Sequence, residues 1–507
     1  MAQKPCTRGT VIVYRKRENQ VLLPHEFFLP FGGKLNENNR WVKLTQLIPW
    51  DRVEEYYADL FKPASQGGQT AVSVRMALGS LIIQQRLGTS DRDTVQHITE
   101  NPYLQYMIGL PEFQEDPPFD ASLMTHFRKR LGPDVLNQVN EWIIQSDVQH
   151  KEDEDQVSDD DSDGGTRAGS QSTSSEPPAP VPRQGKLLLD ATCAPADIAY
   201  PTDLSLLNEA REKLERIIDV LHSARDTGQR KPRTYREKAR KAYLSLAKQR
   251  RVSPRVLRKA VGKQLRFVAR DLRIIAMLRD EVGLSVVSRR QYRDLLVIHE
   301  LYRQQAEMYR KRTRRIDDRI VSISQPHVRP MVRGKARSNV EFGAKVAISL
   351  VDGYARIEQL QWDSFNEGLT LEAAVEAYRE RYGCYPEAVL ADKLYRTRAN
   401  LQYCRGLGIR LSGPKLGRPL KDEQASQKRI ERQDAVERNA IEGKFGEGKR
   451  RYGLGLIRAR LPETSASVIV MQLLVMNLER KLRLLFTLLS VVVISGFRRP
   501  LGADYAV

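Results

Sequence analysis

Apolar positions along this chain recur in two patterns. Leu214, Ile217, Ile218 and Leu221, and later Leu295, Ile298 and Leu301, stand one to four residues apart among charged neighbours, the stripe of amphipathic helices. Elsewhere aliphatic residues run together: KLLLD at 186–190 and AVLAD at 388–392 predict short strands of a buried sheet, each closed by a carboxylate. Within GAKVAISLVDGYARIEQLQW, the dipeptide Asp352-Gly353 suits a tight hairpin turn and divides the segment into two strands.

The order of these elements is informative. The strand at 186–190 is followed by a long, mostly helical interruption over 204–319, then by the hairpin, the helix TLEAAVEAYRERYG, strand AVLAD, the helix YRTRANLQYCRGLG, the short strand IRLSG and a charged helix containing Glu442. With the interruption set aside, this is the element order of the ribonuclease-H-like fold. The expected class is therefore α/β, a mixed sheet with helices on both faces, formed by 185–203 and 320–465 and broken by a helical insertion. Upstream, VSVRMALGSLIIQQRLG and SDRDTVQHITENPYLQYMIGL read as helices separated by a glycine turn, with Ser90 or Asp91 capping the second. SLMTHFRKRLG adds a helix carrying Arg128, Lys129 and Arg130. After an irregular start at 1–45, an all-helical N-terminal domain is expected over 46–150. A small module with a basic last helix fits a helix-turn-helix DNA reader, and ordinary helical packing gives the same pattern.

Composition changes this picture in three places. Residues 151–184 pass from KEDEDQVSDDDSDGG to a Ser- and Pro-rich stretch with almost no large apolar side chain, so burial cannot offset ordering entropy and a disordered linker is expected. Despite that acidic stretch the formal net charge is +20, and Lys238, Arg240, Lys241, Lys248, Arg250, Arg251, Arg255, Arg258, Lys259 and Lys263 crowd one region of the insertion. A polyanion is the natural partner, nucleic acid ahead of a membrane, with the insertion touching phosphates. The apolar run at 482–497 is short for a membrane span and follows Glu479, Arg480 and Lys481, which favours a buried or partner-facing helix within the C-terminal stretch 466–507. Cys6, Cys193, Cys384 and Cys404 form no CxxC pair, and the N-terminus has no secretory core; both favour a cytoplasmic protein without structural zinc.

In the expected sheet the first strand is central and AVLAD lies parallel beside it. Asp190 and Asp392 then meet at one edge, and a helix crossing that edge brings Glu442 to them. Convergent carboxylates are hard oxygen ligands for Mg2+, with Mn2+ able to substitute, and a pair of such ions acts on both sides of an in-line displacement at phosphorus. Arg438 lies four residues before Glu442 and Lys449 seven after it, so all three project from one helical face and place cations beside the acid, where a phosphate would be held.

Arg438-x3-Glu442-x6-Lys449, with the two upstream aspartates, resembles the signature of bacterial insertion-sequence transposases of the DDE type, whose last motif reads Tyr-x2-Arg-x3-Glu-x6-Lys. DATCAPADIAYPTD, RGKARSNVEFGAK, WDSFNEG and ADKLYRTRAN are similar to further blocks of that family, and the likeness extends over 73–130 and 186–478. The family's tyrosine falls where this chain has Ala435; in the family it positions DNA rather than metal. The resemblance implies a bacterial, nucleoid-associated enzyme that binds the terminal inverted repeats of its element, cuts the double-stranded DNA and joins the 3′-hydroxyls to target DNA. Synapsis of two ends implies a homodimer. Two other functions share these features: a ribonuclease-H-like nuclease without strand transfer, and a decayed or repurposed sequence-specific DNA-binding protein, towards which Ala435 points.

Other residues compete for these roles. Asp197, Asp203, Asp352 and Asp363 are rival carboxylates, of which Asp352 suits the hairpin turn and Asp203 a helix cap. His327, Arg329, Arg333, Lys335 and Arg337 form a basic loop that either meets the DNA backbone or is simply solvated. Cys193 reads as a small apolar neighbour of the first acid. The glycines of GKFGEGKRRYGLG lack the strand-then-helix setting of a phosphate loop, so no nucleotide cofactor is expected.

Overall fold

The computed structural model describes residues 12–16, 23–30, 32–61, 69–156, 183–225, 228, 230–335, 338–413 and 424–497. The first part of the chain is helical apart from two short paired strands, β1 (Ile12–Val13) and β2 (Gln69–Thr70). Its helices are α1 (Arg40–Gln46), α2 (Trp50–Ala58), α3 (Val74–Leu87), α4 (Asp91–Glu100), α5 (Pro102–Met107), α6 (Leu123–Arg130) and α7 (Pro133–Gln156). Ser90 caps α4 by accepting from the Asp93 N–H, which leaves Asp91 for Arg128. Helix α7 continues into the acidic stretch expected as linker; the rest of that linker, 157–182, lies outside the described residues, as does Cys6.

The sheet begins with β3 (Lys186–Pro195), which runs well past Asp190. After it, α8 (Asp203–Ser223), α9 (Arg236–Ala247), α10 (Pro254–Val282) and α11 (Arg289–Lys311) fill the interruption and bury a core of their own, including Leu207, Leu214, Ile218, Val268, Ile275 and Ile298. Thr202, not Asp203, caps α8: its side chain and that of Ser205 satisfy each other's backbone N–H groups. Asp203 instead binds Arg319 at 2.7 Å, tying the entrance of the insertion to its exit.

The remaining elements are β4 (Arg329–Lys335), β5 (Ser338–Val351), β6 (Tyr354–Gln361), α12 (Leu371–Tyr382), β7 (Ala388–Ala391), α13 (Arg398–Gly406), β8 (Arg410–Leu411), α14 (Gln424–Arg451) and α15 (Pro462–Phe497). The six strands run β4-β5-β3-β7-β8, with β6 also on β5. Strand β3 is antiparallel to β5 and parallel to β7, which is parallel to β8, so the fold is a mixed α/β sheet. The hairpin turns where expected, with both Asp352 (φ 50°) and Gly353 (φ 78°) left-handed. Strand β4 corrects the reading of a basic loop: long β5 has room for two partners on one flank, β4 along its first half and β6 along its second. The charges of RPMVRGK hide the strand pattern, of which Met331 supplies the inward side chain.

Each face of the sheet is covered. Leu187, Leu189 and Val389 pack with Leu371, Val375, Tyr378 and Cys404 on one side. Val346, Ile348 and Leu350 pack with Ile441 of α14 and Ile469 and Leu473 of α15 on the other. Further along α15, Val470, Leu474, Val475 and Leu478 join the N-terminal core of Leu78, Ile82, Val139 and Ile143. This part of the apolar C-terminal helix, expected to contribute to a partner contact, is thus spent inside the chain. Among the described residues no helix is long and apolar enough to cross a membrane.

Asn477 joins these layers. Fully buried on α15, it donates to Asn140 Oδ1 of α7 at 2.9 Å and to the Ala355 carbonyl at 2.7 Å, and accepts from the Ala355 N–H at 3.0 Å. It thereby satisfies the outward backbone of β6, which would otherwise be an unpaired edge. Asn477→Leu keeps the volume but orphans the Ala355 N–H and leaves the Ala355 carbonyl only the longer bond from Asn140 Nδ2 at 3.4 Å, and should lower unfolding free energy by about 1–3 kcal/mol in denaturant titration. A loss within the error of that titration would remove this account of the edge.

Candidate active site

The β3–β7 pairing runs from Lys186↔Ala388 to Leu189↔Ala391, so the next position sets Asp190 beside Asp392. Asp190 does not end its strand as the aliphatic run suggested, because β5 keeps pairing with β3 as far as Pro195↔Gly343. Only the β7 flank opens. There the chain leaves the sheet through the 3-10 turn Lys393–Tyr395, capped by Asp392, which accepts from the Lys393 N–H at 2.7 Å. Asp190 accepts from the Ala191 N–H at 2.8 Å.

Helix α14 crosses this edge. Ile441 is buried against the sheet, Lys186 binds Glu437 at 2.8 Å, and Arg410 binds Asp434 at 2.9 Å. These contacts set the helix rotation, and with it Arg438. Its Nη1 donates to Asp392 Oδ1 at 3.0 Å, and its Nη2 stands 3.8 Å from Glu442 Oε1. Arg438, expected at a phosphate, therefore links two of the three acids. Lys449 is half-buried farther along α14. Among the described residues, no three His, Cys, Asp or Glu side chains are gathered closely enough to hold a metal ion.

The Asp190 carboxyl is raised to about 6, chiefly by burial and also by Glu367 and Asp392, against the opposing Ala191 N–H and Arg438. Negative charge at this edge is only partly neutralised. The donor chemistry, half-buried Asp190 beside half-exposed Asp392 and exposed Glu442, suits a hard divalent cation.

Glu367 is the residue that sequence reasoning missed. It opens the 3-10 turn Glu367–Thr370 and binds Lys345 of β5 at 2.9 Å. WDSFNEG stood out as a block, but its glutamate stands six residues beyond the end of β6 and nothing in the sequence announces Lys345 across the sheet. Tyr395 lies fully buried near the same acids; burial first, and then Glu367, Asp190 and Asp392, hold its phenol protonated. Asn400 donates to the carbonyls of Gly368 at 2.7 Å and Tyr395 at 2.8 Å, stapling the two turns together.

The other expected contacts are distributed more widely. Arg128 binds Asp91 at 2.6 Å and Gln84 at 3.0 Å within the helical packing, Arg130 lies over the Phe61 ring, and Lys129 is exposed. The side chains of Arg333 and Lys335 on β4, and Arg337 altogether, lie outside the described residues. His327 meets Trp362 edge-on at 4.4 Å, and burial together with Arg329 and Arg293 lowers it to about 4, so it is neutral rather than a phosphate-binding cation. Asp363 pairs with Arg329 at 3.3 Å. In the insertion, Lys238, Arg240, Lys241, Lys248, Arg250, Arg251, Arg255, Lys259 and Lys263 are exposed and make no ion pair among the described residues.

Residues 389–479, which include Asp392, Arg438, Glu442 and Lys449, match the model of the transposase DDE domain, and residues 30–130 match a transposase domain (DUF772). Asp190 lies between the matched regions. The chain is a transposase of the DDE type. It stands with the insertion-sequence enzymes of that type. Similar to it is an uncharacterized protein, ORF8 in the nfe locus of Rhizobium meliloti, 29% identical over 182 residues that cover 36% of this chain and 74% of that protein. No solved structure matches.

The raised Asp190 carboxyl has a signed consequence for the metal-free protein. Its folded value of about 6 lies above the ordinary 3.8, so folding takes up a proton in that window and stability falls as pH rises through it. Asp190→Asn should therefore stabilise the chelated protein above that window, by about 1–3 kcal/mol, and not below it. Denaturant unfolding on either side of the window checks this; an equal gain at both pH values would contradict it.

Proposed function

We propose that this transposase binds the terminal inverted repeats of an insertion sequence, cleaves the DNA ends by hydrolysis and joins the freed 3′-hydroxyls to target DNA. The observation that carries the reading is Asp190 beside Asp392 at a parallel sheet edge, with Glu442 on the helix crossing it and Arg438 between the acids. The strand arrangement supports a ribonuclease-H-like catalytic domain: β3 at the centre, the antiparallel β5–β6 hairpin on one side, parallel β7 and β8 on the other.

Asp190, Asp392 and Glu442 would hold Mg2+, or Mn2+ in its place. When bound, the metal would favour deprotonation of the attacking water or 3′-hydroxyl and stabilise the leaving oxygen. Asp190 and Asp392 are held by strand pairing and backbone N–H groups, so their oxygens are in place before substrate arrives. Glu442, 59% exposed, retains freedom to swing towards the edge. Arg438 can transfer its donors from carboxylate to phosphate, and Lys449 extends the same basic face. Lys129, Arg333, Lys335, Arg337 and the insertion's cations would hold the rest of the duplex, and two ends would be held by a dimer. A second reading, a repurposed DNA-binding protein, draws only on Ala435, which is exposed on α14.

Asp190→Asn, Asp392→Asn and Glu442→Gln should each lower magnesium-dependent cleavage of inverted-repeat DNA by at least about a thousandfold while leaving DNA binding in place. Full cleavage by all three would end the site assignment, and cleavage without joining of pre-cut ends would identify a nuclease. For the insertion, Lys259→Glu with Lys263→Glu should weaken binding to every sequence alike and flatten log K against log salt by about 1 for each phosphate that is no longer neutralised. An unchanged slope would place the DNA elsewhere.

A further inference from the structure

The two most exposed leucines among the described residues both flank the acidic edge. Leu369 is 77% exposed and Leu394 is 61% exposed. Each lies two residues beyond an acid, Leu369 after Glu367 and Leu394 after Asp392, on the two 3-10 turns that border the site. Isolated exposed leucines are common on protein surfaces. These two stand on turns that are braced against each other. Asn400 bonds to both, and Gly368 lies so close to Leu394 that a Cβ at that position would stand 2.8 Å from the Leu394 carbonyl oxygen. The remainder of the rim is polar and basic, with Lys393 and Arg398 exposed beside Leu394.

We propose that Leu369 and Leu394 form a fixed apolar platform for the nucleobase next to the scissile phosphate. The proposal rests on the reading that a phosphodiester reaches Asp190 and Asp392. A backbone phosphate held by those acids and the nearby cations brings its own base within a nucleotide's length. The flat face of a base is the apolar surface that such a substrate can offer to two rigid leucines. Side chains of this kind act on DNA as wedges, trading base stacking for protein contact. The platform would therefore hold the terminal base pair open, or the base turned out of the stack, while the acids act on the phosphate beside it.

The test uses the full chain and a duplex oligonucleotide ending in the inverted repeat that flanks the gene, with 2-aminopurine at the base beside the scissile phosphate. In an Asp392→Asn background, binding should raise the 2-aminopurine fluorescence, and adding Leu369→Ser with Leu394→Ser should abolish the rise without changing affinity in a mobility-shift assay. In the otherwise unaltered protein, the double serine variant should cut the paired end about tenfold more slowly and recover on the same end carrying mismatches at that step. Equal loss on paired and mismatched ends, no loss on either, or an unchanged fluorescence rise would overturn the proposal. So would a shift in the oligomeric state of the free serine variant with DNA behaviour unaltered, which would identify the platform as a contact between copies. If the wild type cuts nothing, the proposed chemistry fails by that result alone, and the fluorescence arm still decides the platform.

Discussion

Everything at the working edge follows from where the β3–β7 ladder stops. Aliphatic pairing as far as Leu189↔Ala391 carries two carboxylates to adjacent positions, one of them partly desolvated. Like charges so placed repel, and desolvating one costs several kcal/mol unless a cation answers it. Arg438 is that answer in the free chain. The half-exposed pair Lys186–Glu437 contributes about 1 kcal/mol or less, so it orients α14 more than it holds it, and Arg410 answers the charge of buried Asp434. What holds it is apolar: Ile441 lies in the same cluster as Val346, Ile348 and Leu350.

The same logic unites parts of the chain that are remote in sequence. The C-terminal helix α15 lies in the sheet core at Ile469 and Leu473 and in the N-terminal core at Leu474 and Leu478, so the two regions that match transposase models share one buried interior. Gln85 donates to the Tyr452 carbonyl at 2.7 Å, and Arg86 pairs with Glu479 at 2.7 Å across that junction. A DNA duplex gripped by the N-terminal helices would thus meet the acidic edge at a set geometry. The insertion differs: its core is separate, and Asp203–Arg319 closes its base.

Much of this was legible in the sequence, and for identifiable reasons. Unbroken aliphatic runs mark strands buried on both faces, so β3, β7 and the Asp352-Gly353 hairpin were readable, and element order then placed Asp190 beside Asp392. Helical spacing put Arg438, Glu442 and Lys449 on one face. Strand β4 was hidden because Arg329, Pro330, Arg333, Gly334 and Lys335 leave only two apolar side chains in a row, Met331 and Val332. The extent of β3 beyond Asp190 was hidden because it depends on the length of β5, a property of the partner strand. Glu367 could not be read because its position comes from Lys345 and Asn400, contacts distant in sequence that leave no periodic signal. Arg128 looked like a phosphate ligand from its basic run, yet Asp91 claims it, a pairing created by the packing of both α4 and α6 on α3.

Charge balance orders the events at the edge. Asp190, Asp392 and Glu367 lie near this edge, with Glu442 on the helix crossing it, against Arg438 and Lys345, so in a chain of net charge +20 the edge that would receive a phosphodiester under the proposed function is locally negative. A phosphate approaching these acids alone would be repelled, while the exposed cations of the insertion would attract the rest of a duplex. Neutralisation of the acids must therefore precede or accompany entry of the scissile phosphate. Arg438 would then lose its carboxylate partners and become a donor for the incoming anion. On the proposed function, the guanidinium that stabilises the resting edge would become available to substrate only once that edge had been filled.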